Sequence, residues 1–273
     1  MAQTPPKADG ALVKALALLD AVAAAPGPLR FVDLLHAQGL PKATLHRLLR
    51  TLVAQRMLAH DPDTQRYSPG LRLVRLGHAA WRKASLAEVA RPILDALSAQ
   101  TGETIHLAQL DAGQVLYIDK RDARRPLEMF SDAGKVGPAY CTGVGKAMLA
   151  FADPARLEEL LSQQSHHRYT AHTLDAVALR AELAAIRARG VAFDRQEHEP
   201  GIICVAAPVL AARGVALGAI SVTSSTARRD LDDLATLAPR LRAAAAAIAA
   251  AAEARQSPAA APAPGKENAP CPV

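Results

Sequence analysis

Hydrophobic and polar positions along the first seventy residues predict three helices and a hairpin. Leucines recur at helical spacing in the first segment, at Leu12, Leu16 and Leu19. This helix ends at the breaker cluster of residues 25–28. A short apolar pattern over residues 31–35 then runs into Gly39, and a third helix opens at Pro41, a residue suited to a first helical turn. The pattern predicts two short helices joined by a tight turn.

The third helix is predicted to have one apolar face and one basic face. The apolar face consists of Leu45, Leu48, Leu49 and Leu52. The opposite face carries Ala43, His46, Arg47 and Arg50, and it has no acidic residue. Beyond this helix, residues 57–60 and 66–68 flank the turn-forming residues 61–65, which indicates a hairpin. A winged helix-turn-helix is therefore expected over residues 11–70.

Downstream of the hairpin the pattern changes to mixed helices and strands. Helical spacing over residues 71–90 predicts a linker helix, and another helix runs from Arg91-Pro92 to Gln100. Strands are predicted at 104–110, 114–120, 127–131, 191–194, 204–210 and 215–223. Helices are predicted at 143–151, 154–161 and 175–189, with a closing helix from Leu231. Strands clustered by hairpins favour an α+β domain over residues 91–255 rather than a doubly wound parallel sheet.

Charge is concentrated near the N-terminus. The formal net charge is +6, and residues 1–75 hold ten Lys and Arg against five Asp and Glu. Such asymmetry is typical of a phosphate-binding module attached to a nearly neutral domain. Aromatic residues make up 3% of the chain, which argues against a protein that binds single strands by stacking on bases.

Other compositional features point to a cytoplasmic protein without metal or membrane. The three cysteines, Cys141, Cys204 and Cys271, form no CxxC pair. The N-terminus lacks the apolar core of a secretory signal, and the alanine run near the C-terminus is too weakly apolar to span a bilayer. Residues 1–10 and 256–273 are rich in proline without periodicity, so we expect both ends to be disordered.

The basic face of the third helix is a candidate for double-stranded DNA binding. We expect Arg47 and Arg50 to contact base edges or nearby phosphates, with Ala43 and His46 on the same face. The other expected contacts are to phosphates, by Lys42 and Thr44 at the helix start and by Arg66 in the wing. The alternative is a solvated basic face on a small helical domain.

Several separated motifs resemble the IclR family of bacterial transcriptional regulators over roughly residues 11–250. The N-terminal motifs are GLPKATLHRLLRTLVAQRML and DPDTQRYSPG. The C-terminal motifs are AYCTGVGKAMLA, GVAFDRQEHEPGIICVAAPV and GAISVTSS. The resemblance implies a GAF-like effector-binding domain with an antiparallel sheet, homodimers paired through the N-terminal part and often assembled as dimers of dimers, and palindromic operators.

The resemblance also implies an effector, commonly a keto acid, sugar acid or aromatic acid. The residues that match the family's ligand contacts are Gly143, Val144, Asp194, Ile202, Cys204, Ser221 and Thr223. Amides at the start of the helix that holds Lys146 would face an anion, and Ser221 and Thr223 would add hydroxyl donors. Because Asp194 would repel a carboxylate, we expect it to accept a hydrogen bond from a ligand hydroxyl or water.

Plainer interpretations of these residues stay open. Gly143 and Gly145 could serve a tight turn, Lys146 could be solvated, and Cys141 and Cys204 could fill the core. A metal site at His198 with Glu197 and Glu199 fits no zinc spacing, so a surface loop is preferred there; His166-His167 reads similarly.

Two other functions compete with a ligand-controlled regulator. The first is an enzyme with Cys204 or Cys141 as nucleophile, for which no catalytic motif appears. The second is an architectural DNA binder without ligand. We therefore expect no catalytic residue, no cofactor and no metal. The expected mechanism is a population shift, in which the acid changes the spacing of paired recognition helices through the linker helix.

Overall fold

The computed structural model describes residues 10–84 and 86–256, and the chain divides into a unit of residues 1–84, called unit 1, and a unit of residues 85–273, called unit 2. The predicted disorder of 1–10 and 256–273 falls almost entirely outside the described residues. Gly10 and Gln256 are described, and they lie at the start of the first helix and the end of the last.

Unit 1 is mainly helical with a small sheet. Its elements are α1 (Ala11–Ala24), β1 (Leu29–Arg30), α2 (Phe31–Gln38), α3 (Lys42–Ala54), β2 (Leu58–Asp61), β3 (Arg66–Pro69) and α4 (Leu71–Ala84). The sheet has the antiparallel order β1-β3-β2, and β1 was not predicted. The three helices and the hairpin follow the predicted winged helix-turn-helix pattern.

The turn between α2 and α3 depends on Gly39. Its φ of 59° lies in the left-handed region, and its N–H donates to the carbonyl of Leu35 at 3.2 Å. In the first helix Leu18 and Leu19 are buried, whereas Leu12 and Leu16 are 72% and 50% exposed. Leucine spacing therefore predicted the helix but not which side packs against the core.

Unit 2 is a six-stranded antiparallel sheet with helices on both faces. Its elements are α5 (Ala87–Thr101), β4 (Thr104–Asp111), β5 (Gln114–Arg121), β6 (Val136–Gly137), α6 (Gly143–Ala150), α7 (Pro154–Ser162), α8 (Ala176–Arg189), β7 (Ala192–Arg195), β8 (Ile202–Leu210), β9 (Ala216–Ser225), α9 (Leu231–Thr236) and α10 (Ala238–Gln256). The strand order is β6-β5-β4-β9-β8-β7. The α+β class and the antiparallel sheet are confirmed.

Alternation along the strands builds two separate cores. Val205 and Ala207 belong to the core formed with α5, α9 and α10, whereas Ala206 belongs to the core formed with α6, α7 and α8. Since β8 is buried on both faces, it lacks the polar positions of a strand with one solvated side. The side of the sheet that faces α6 is the one that carries the polar residues described below.

Several predicted boundaries were wrong. The linker helix does not run to residue 90, because α4 ends at Ala84 and α5 begins at Ala87, with Pro92 inside α5. The closing helix is two helices, which meet at Leu237. No strand occupies the described residues 127–131, which form a loop between β5 and β6; their alternating pattern reflects loop contacts rather than strand pairing.

Candidate DNA-binding and effector-binding sites

Helix α3 turns its leucines inward and its basic side chains outward. Leu45 and Leu49 are 0% and 1% exposed. One open, concave surface is lined by Ala43, His46, Arg47, Arg50, Thr51 and Ala54. Thr51, which the sequence did not single out, lies beside the arginines and donates from its hydroxyl to the carbonyl of Arg47 at 3.0 Å.

The remaining predicted DNA contacts are distributed around this face. Lys42 is exposed at the start of α3, and Thr44 is half-buried. His46 packs near the ring of Phe31, with 6.0 Å between ring centroids. Arg66 is exposed on β3, and its guanidinium donates to the carbonyl of Pro28 at 3.4 Å. Exposed cations thus lie on both the helix and the hairpin.

All seven predicted effector-binding residues line one small cavity in unit 2. The cavity has a volume of about 30 Å³ and its lining includes Gly143, Val144, Asp194, Ile202, Cys204, Ser221 and Thr223. The lining also includes six residues that the sequence did not indicate as effector contacts: His106, Tyr117, Ser131, Thr142, His198 and Glu199. Three separate stretches of sequence that resembled the family motifs therefore meet at one place.

The sheet register explains how these distant residues meet. Asp194 on β7 pairs with Cys204 on β8, which pairs in turn with Thr223 on β9. Two residues away on the same face of β9, Ser221 pairs with His106 on β4. The polar residues thus form adjacent rows across four strands, directly under the start of α6.

Helix α6 has no room for a side chain at two positions, one against the sheet and one against the loop that precedes the helix. A Cβ on Gly143 would lie 2.3 Å from Sγ of Cys204, and a Cβ on Gly145 would lie 2.3 Å from the carbonyl oxygen of Ala139. Both glycines lie inside α6, so the interpretation of a tight turn was wrong. At the cap, the Gly145 N–H donates to the Thr142 hydroxyl at 3.3 Å. Glycine here lets the first turn of the helix reach the cavity.

His106 is a buried polar group in the cavity that the sequence did not reveal. Its Nδ1 lies 3.3 Å from both Ser221 Oγ and Thr223 Oγ1, and its Nε2 lies 2.9 Å from Ser131 Oγ. Complete burial lowers the pKa of His106 to about 3, so the ring is neutral at neutral pH. The two hydroxyls expected to bind the effector are therefore already within hydrogen-bonding distance of an imidazole.

A buried ion pair lies behind the cavity. Lys146 on α6 is 0% exposed and is paired with Glu197, so the interpretation of a solvated lysine was wrong. Glu197 is itself buried rather than part of a surface loop, and its N–H donates to Asp194 Oδ1 at 2.8 Å. Burial, reinforced by the nearby Glu197 carboxylate, raises the pKa of Asp194 to about 7.

Neither cysteine near the cavity has the environment of a nucleophile. Cys141 and Cys204 are free and buried, and burial raises the pKa of each thiol far above its ordinary value. Reactive cysteines are instead partly exposed and have a lowered pKa. The cysteines therefore pack as core side chains.

The loop of residues 127–131 is fastened over the cavity at two points. Glu199 accepts hydrogen bonds from the Phe130 N–H at 2.9 and 3.1 Å, and Ser131 lies against His106 as described. On the other side of His198 and Glu199 is an open cleft of about 460 Å³, whose walls include Phe130, Tyr140 and Tyr169. Residues 198 and 199 thus separate a small inner cavity from a larger outer cleft.

Residues 10–84 and 86–256 contain no cluster of three or more His, Cys, Asp or Glu with a geometry that could hold a metal ion. None of the helices in these ranges combines the length and hydropathy needed to cross a bilayer.

Comparisons with known proteins cover both units. Residues 78–250 match the family described as bacterial transcriptional regulator IclR C-terminal, and residues 11–62 match the IclR helix-turn-helix domain. The HTH-type transcriptional regulator BhcR of Paracoccus denitrificans is 36% identical over 80% of this chain and 78% of its own length. The transcriptional repressor IclR of Escherichia coli is 30% identical over 80% of each chain.

A solved structure shares the fold. An IclR homolog from Microbacterium hydrocarbonoxydans, complexed with 4-hydroxybenzoate, superposes with a TM-score of 0.77 at 24% identity, covering 90% of this chain and all of that one. These matched relatives are named as regulators of transcription and not as enzymes. With both family matches and these identities, the chain belongs to the IclR family of bacterial transcriptional regulators.

Proposed function

We propose that this regulator binds a palindromic DNA operator as a homodimer or a dimer of dimers, and that a small organic acid bound in the cavity of unit 2 controls the binding. The convergence of seven effector positions, drawn from three separate motifs, on one buried cavity carries this proposal. The exposed basic face of α3 supplies the complementary surface for DNA.

The cavity must enlarge before it can hold an organic acid. A single water needs about 10–15 Å³ of such space, so 30 Å³ holds about two waters. Opening toward the outer cleft requires movement of the loop at Phe130 and Ser131, which is held by hydrogen bonds to Glu199 and His106. Because the acid would bind the opened form better, it would shift the population of unit 2 toward that form.

We assign the roles of the domains by the boundaries predicted from the sequence. Residues 11–70 would form the DNA-binding domain and residues 91–255 the effector-binding domain, and the segment 71–90, which holds α4 and the start of α5, would transmit the signal. The acid would lie at the start of α6, where the amides of Gly143 and Val144 and the helix dipole favour an anion. Ser221 and Thr223 would hydrogen-bond to it from β9.

A thermal-shift screen of keto acids, sugar acids and aromatic acids tests the proposal, followed by the effect of each hit on binding to the DNA upstream of the protein's own gene. Binding to the native state must raise the melting temperature. The S221A/T223A variant should lose most of the shift, whereas T236A, which removes an exposed hydroxyl bonded to Asp233, should keep it.

The outcomes separate the competing functions. An acid that raises stability and changes DNA affinity supports a ligand-controlled regulator. DNA binding that no acid alters would instead favour the architectural protein without a ligand.

A further inference from the structure

The charges around the cavity do not suit an anion. Within the described part of unit 2, the lining side chains include two carboxyls, Asp194 and Glu199, and no lysine or arginine. The nearby cation, Lys146, is already neutralised by Glu197. An incoming carboxylate would therefore meet negative charge in a buried space, where an uncompensated charge is expensive.

Of the two carboxyls, Asp194 is the one that can become neutral. Both carboxylate oxygens of Glu199 accept from the Phe130 N–H. The nearby His198 and this N–H lower the pKa of Glu199, so Glu199 stays ionised. Asp194 is 6% exposed, and one of its oxygens accepts the Glu197 N–H. Burial raises its pKa to about 7, so protonation near neutral pH costs little.

His106 is a poorer proton acceptor. Its ring lies against hydroxyls on both sides, from Ser131 and from Ser221 and Thr223. Since its pKa is lowered to about 3, only about one ring in ten thousand is protonated at pH 7, a far smaller fraction than for Asp194. The remaining titratable groups around Asp194 are Cys141, Lys146, Tyr117, Glu197, His198 and Cys204.

We infer that an acid effector enters this cavity together with one proton from solvent, which Asp194 carries. The inference rests on the proposed function. The protonated carboxyl, through the oxygen not engaged by Glu197, donates a hydrogen bond to the ligand carboxylate, and the α6 amides donate from the other side. No bond other than O–H is formed and nothing is oxidised. Asp194 is thus a donor, not the acceptor expected from the sequence.

A defined pH dependence follows. Below pH 7 Asp194 already holds its proton, so binding takes up little and affinity is nearly constant. Above pH 7 the proton must be acquired on binding, so affinity falls by about tenfold for each further pH unit. Proton uptake per bound acid rises from near zero at pH 6 to near one at pH 8.

The test uses the full-length protein and three probes: pyruvate, gluconate and 4-hydroxybenzoate. Their carboxyls are ionised throughout pH 6–8. Each probe that raises the melting temperature is titrated calorimetrically at pH 6 and pH 8 in buffers of different ionisation enthalpy, which reports protons taken up. D194N replaces the carboxyl by a neutral donor of the same shape. D119N is the matched control, since Asp119 is a buried carboxyl of the same sheet outside the cavity.

We expect wild type and D119N to take up close to one proton at pH 8, and D194N to bind with no uptake and equal affinity at both pH values. Binding by wild type at pH 8 without uptake overturns the inference. So does uptake that persists in D194N, or a folded D194N that has lost binding, because the charged carboxylate would then be required.

Folding of D194N is checked by its unfolding transition, and if it fails to fold, the wild-type uptake decides alone. If none of the probes binds at any pH, the proposed acid sensing fails together with the inference. Binding without uptake overturns the inference and leaves the proposed function in place.

Discussion

On the outer face of α3, Arg47 and Arg50 stand in solvent, whereas the groups of the cavity in unit 2 are almost completely buried, with His106 and Asp194 only 2% and 6% exposed. The two sites also differ in origin. The basic face lies within one helix, while the cavity is assembled from five strands, a helix start and two loops.

Because of this difference, functional residues of unit 1 can be changed with little effect on stability, whereas changes to the cavity residues of unit 2 also alter its stability. An exposed arginine keeps its hydration, so it can be removed at little cost to folding. A buried charge is tolerated only with its partners, so changing one group in the cavity region alters the stability of the whole unit.

Breaking the buried ion pair gives the largest effect. The K146M variant leaves Glu197 charged, buried and unpaired, and should lower the free energy of unfolding by about 3–5 kcal/mol. Urea unfolding followed by circular dichroism measures the loss, and hydrogen exchange assigns it to unit 2.

The double variant K146M/E197Q is the control for that prediction, because no buried charge remains and much of the stability should return. If K146M unfolds at the wild-type urea concentration, the pair contributes nothing and the contrast between the two sites is broken.

The stability of unit 2 should also depend on Asp194 in a defined direction. Its pKa is about 7 in the folded state and 3.8 in the reference state, so from pH 4 to pH 7 the folded protein holds a proton that the unfolded chain has released. Stability therefore falls as pH rises through this window, by at most about 4 kcal/mol. D194N should lack this loss.

The stability of D194N relative to wild type is measured as the difference between their urea midpoints. This difference should grow in favour of D194N from pH 4 to pH 8. His106 contributes the opposite slope, because its lowered pKa destabilises the fold as pH falls from 6.5 toward about 3. A difference that stays constant with pH would show that Asp194 is ionised in the folded state.

The two sites also differ in how far the sequence predicted them. Leucine spacing on α3 fixed which side chains face outward, because a helix repeats locally. Cavity positions such as Asp194 and Thr223 came from family resemblance, since they meet only through strand register. His106 was missed because its strand is buried on both faces, so a polar position that reads as solvent-facing from the sequence lies instead in the cavity.

Some predicted boundaries of strands and helices were wrong for related reasons. The loop at 127–131 has an apolar pattern like a strand, but its Phe130 and Ser131 contacts come from side chains that are distant in sequence. Likewise, Pro92 suggested a helix start, yet α5 continues through it. Local propensity does not contain the tertiary contacts that decided these positions.

Removing the two outward arginines should separate DNA affinity from folding. We expect R47A/R50A to weaken operator binding by about 100-fold, at about 1–3 kcal/mol for each lost contact, and to reduce the salt dependence. Its unfolding midpoint should match wild type, since both side chains are exposed. Fluorescence anisotropy at fixed salt measures the affinity.

The matched control is R213A/R240A, which removes two exposed arginines from unit 2. It should leave specific operator affinity nearly unchanged. Equal losses in the two double variants would mean that net charge alone sets affinity, and would contradict a specific role for α3.

The smallest expected effect concerns the loop over the cavity. S131A removes the hydroxyl that lies 2.9 Å from His106 Nε2 and should lower stability by about 1 kcal/mol. Because Glu199 still holds the Phe130 N–H, the loop should open more often rather than detach, so hydrogen exchange at residues 127–131 should accelerate. S162A, whose exposed hydroxyl bonds only locally to Glu159, is the control. If exchange in S131A matches S162A, the bond to His106 does not restrain the loop, and access to the cavity is governed by Glu199 instead.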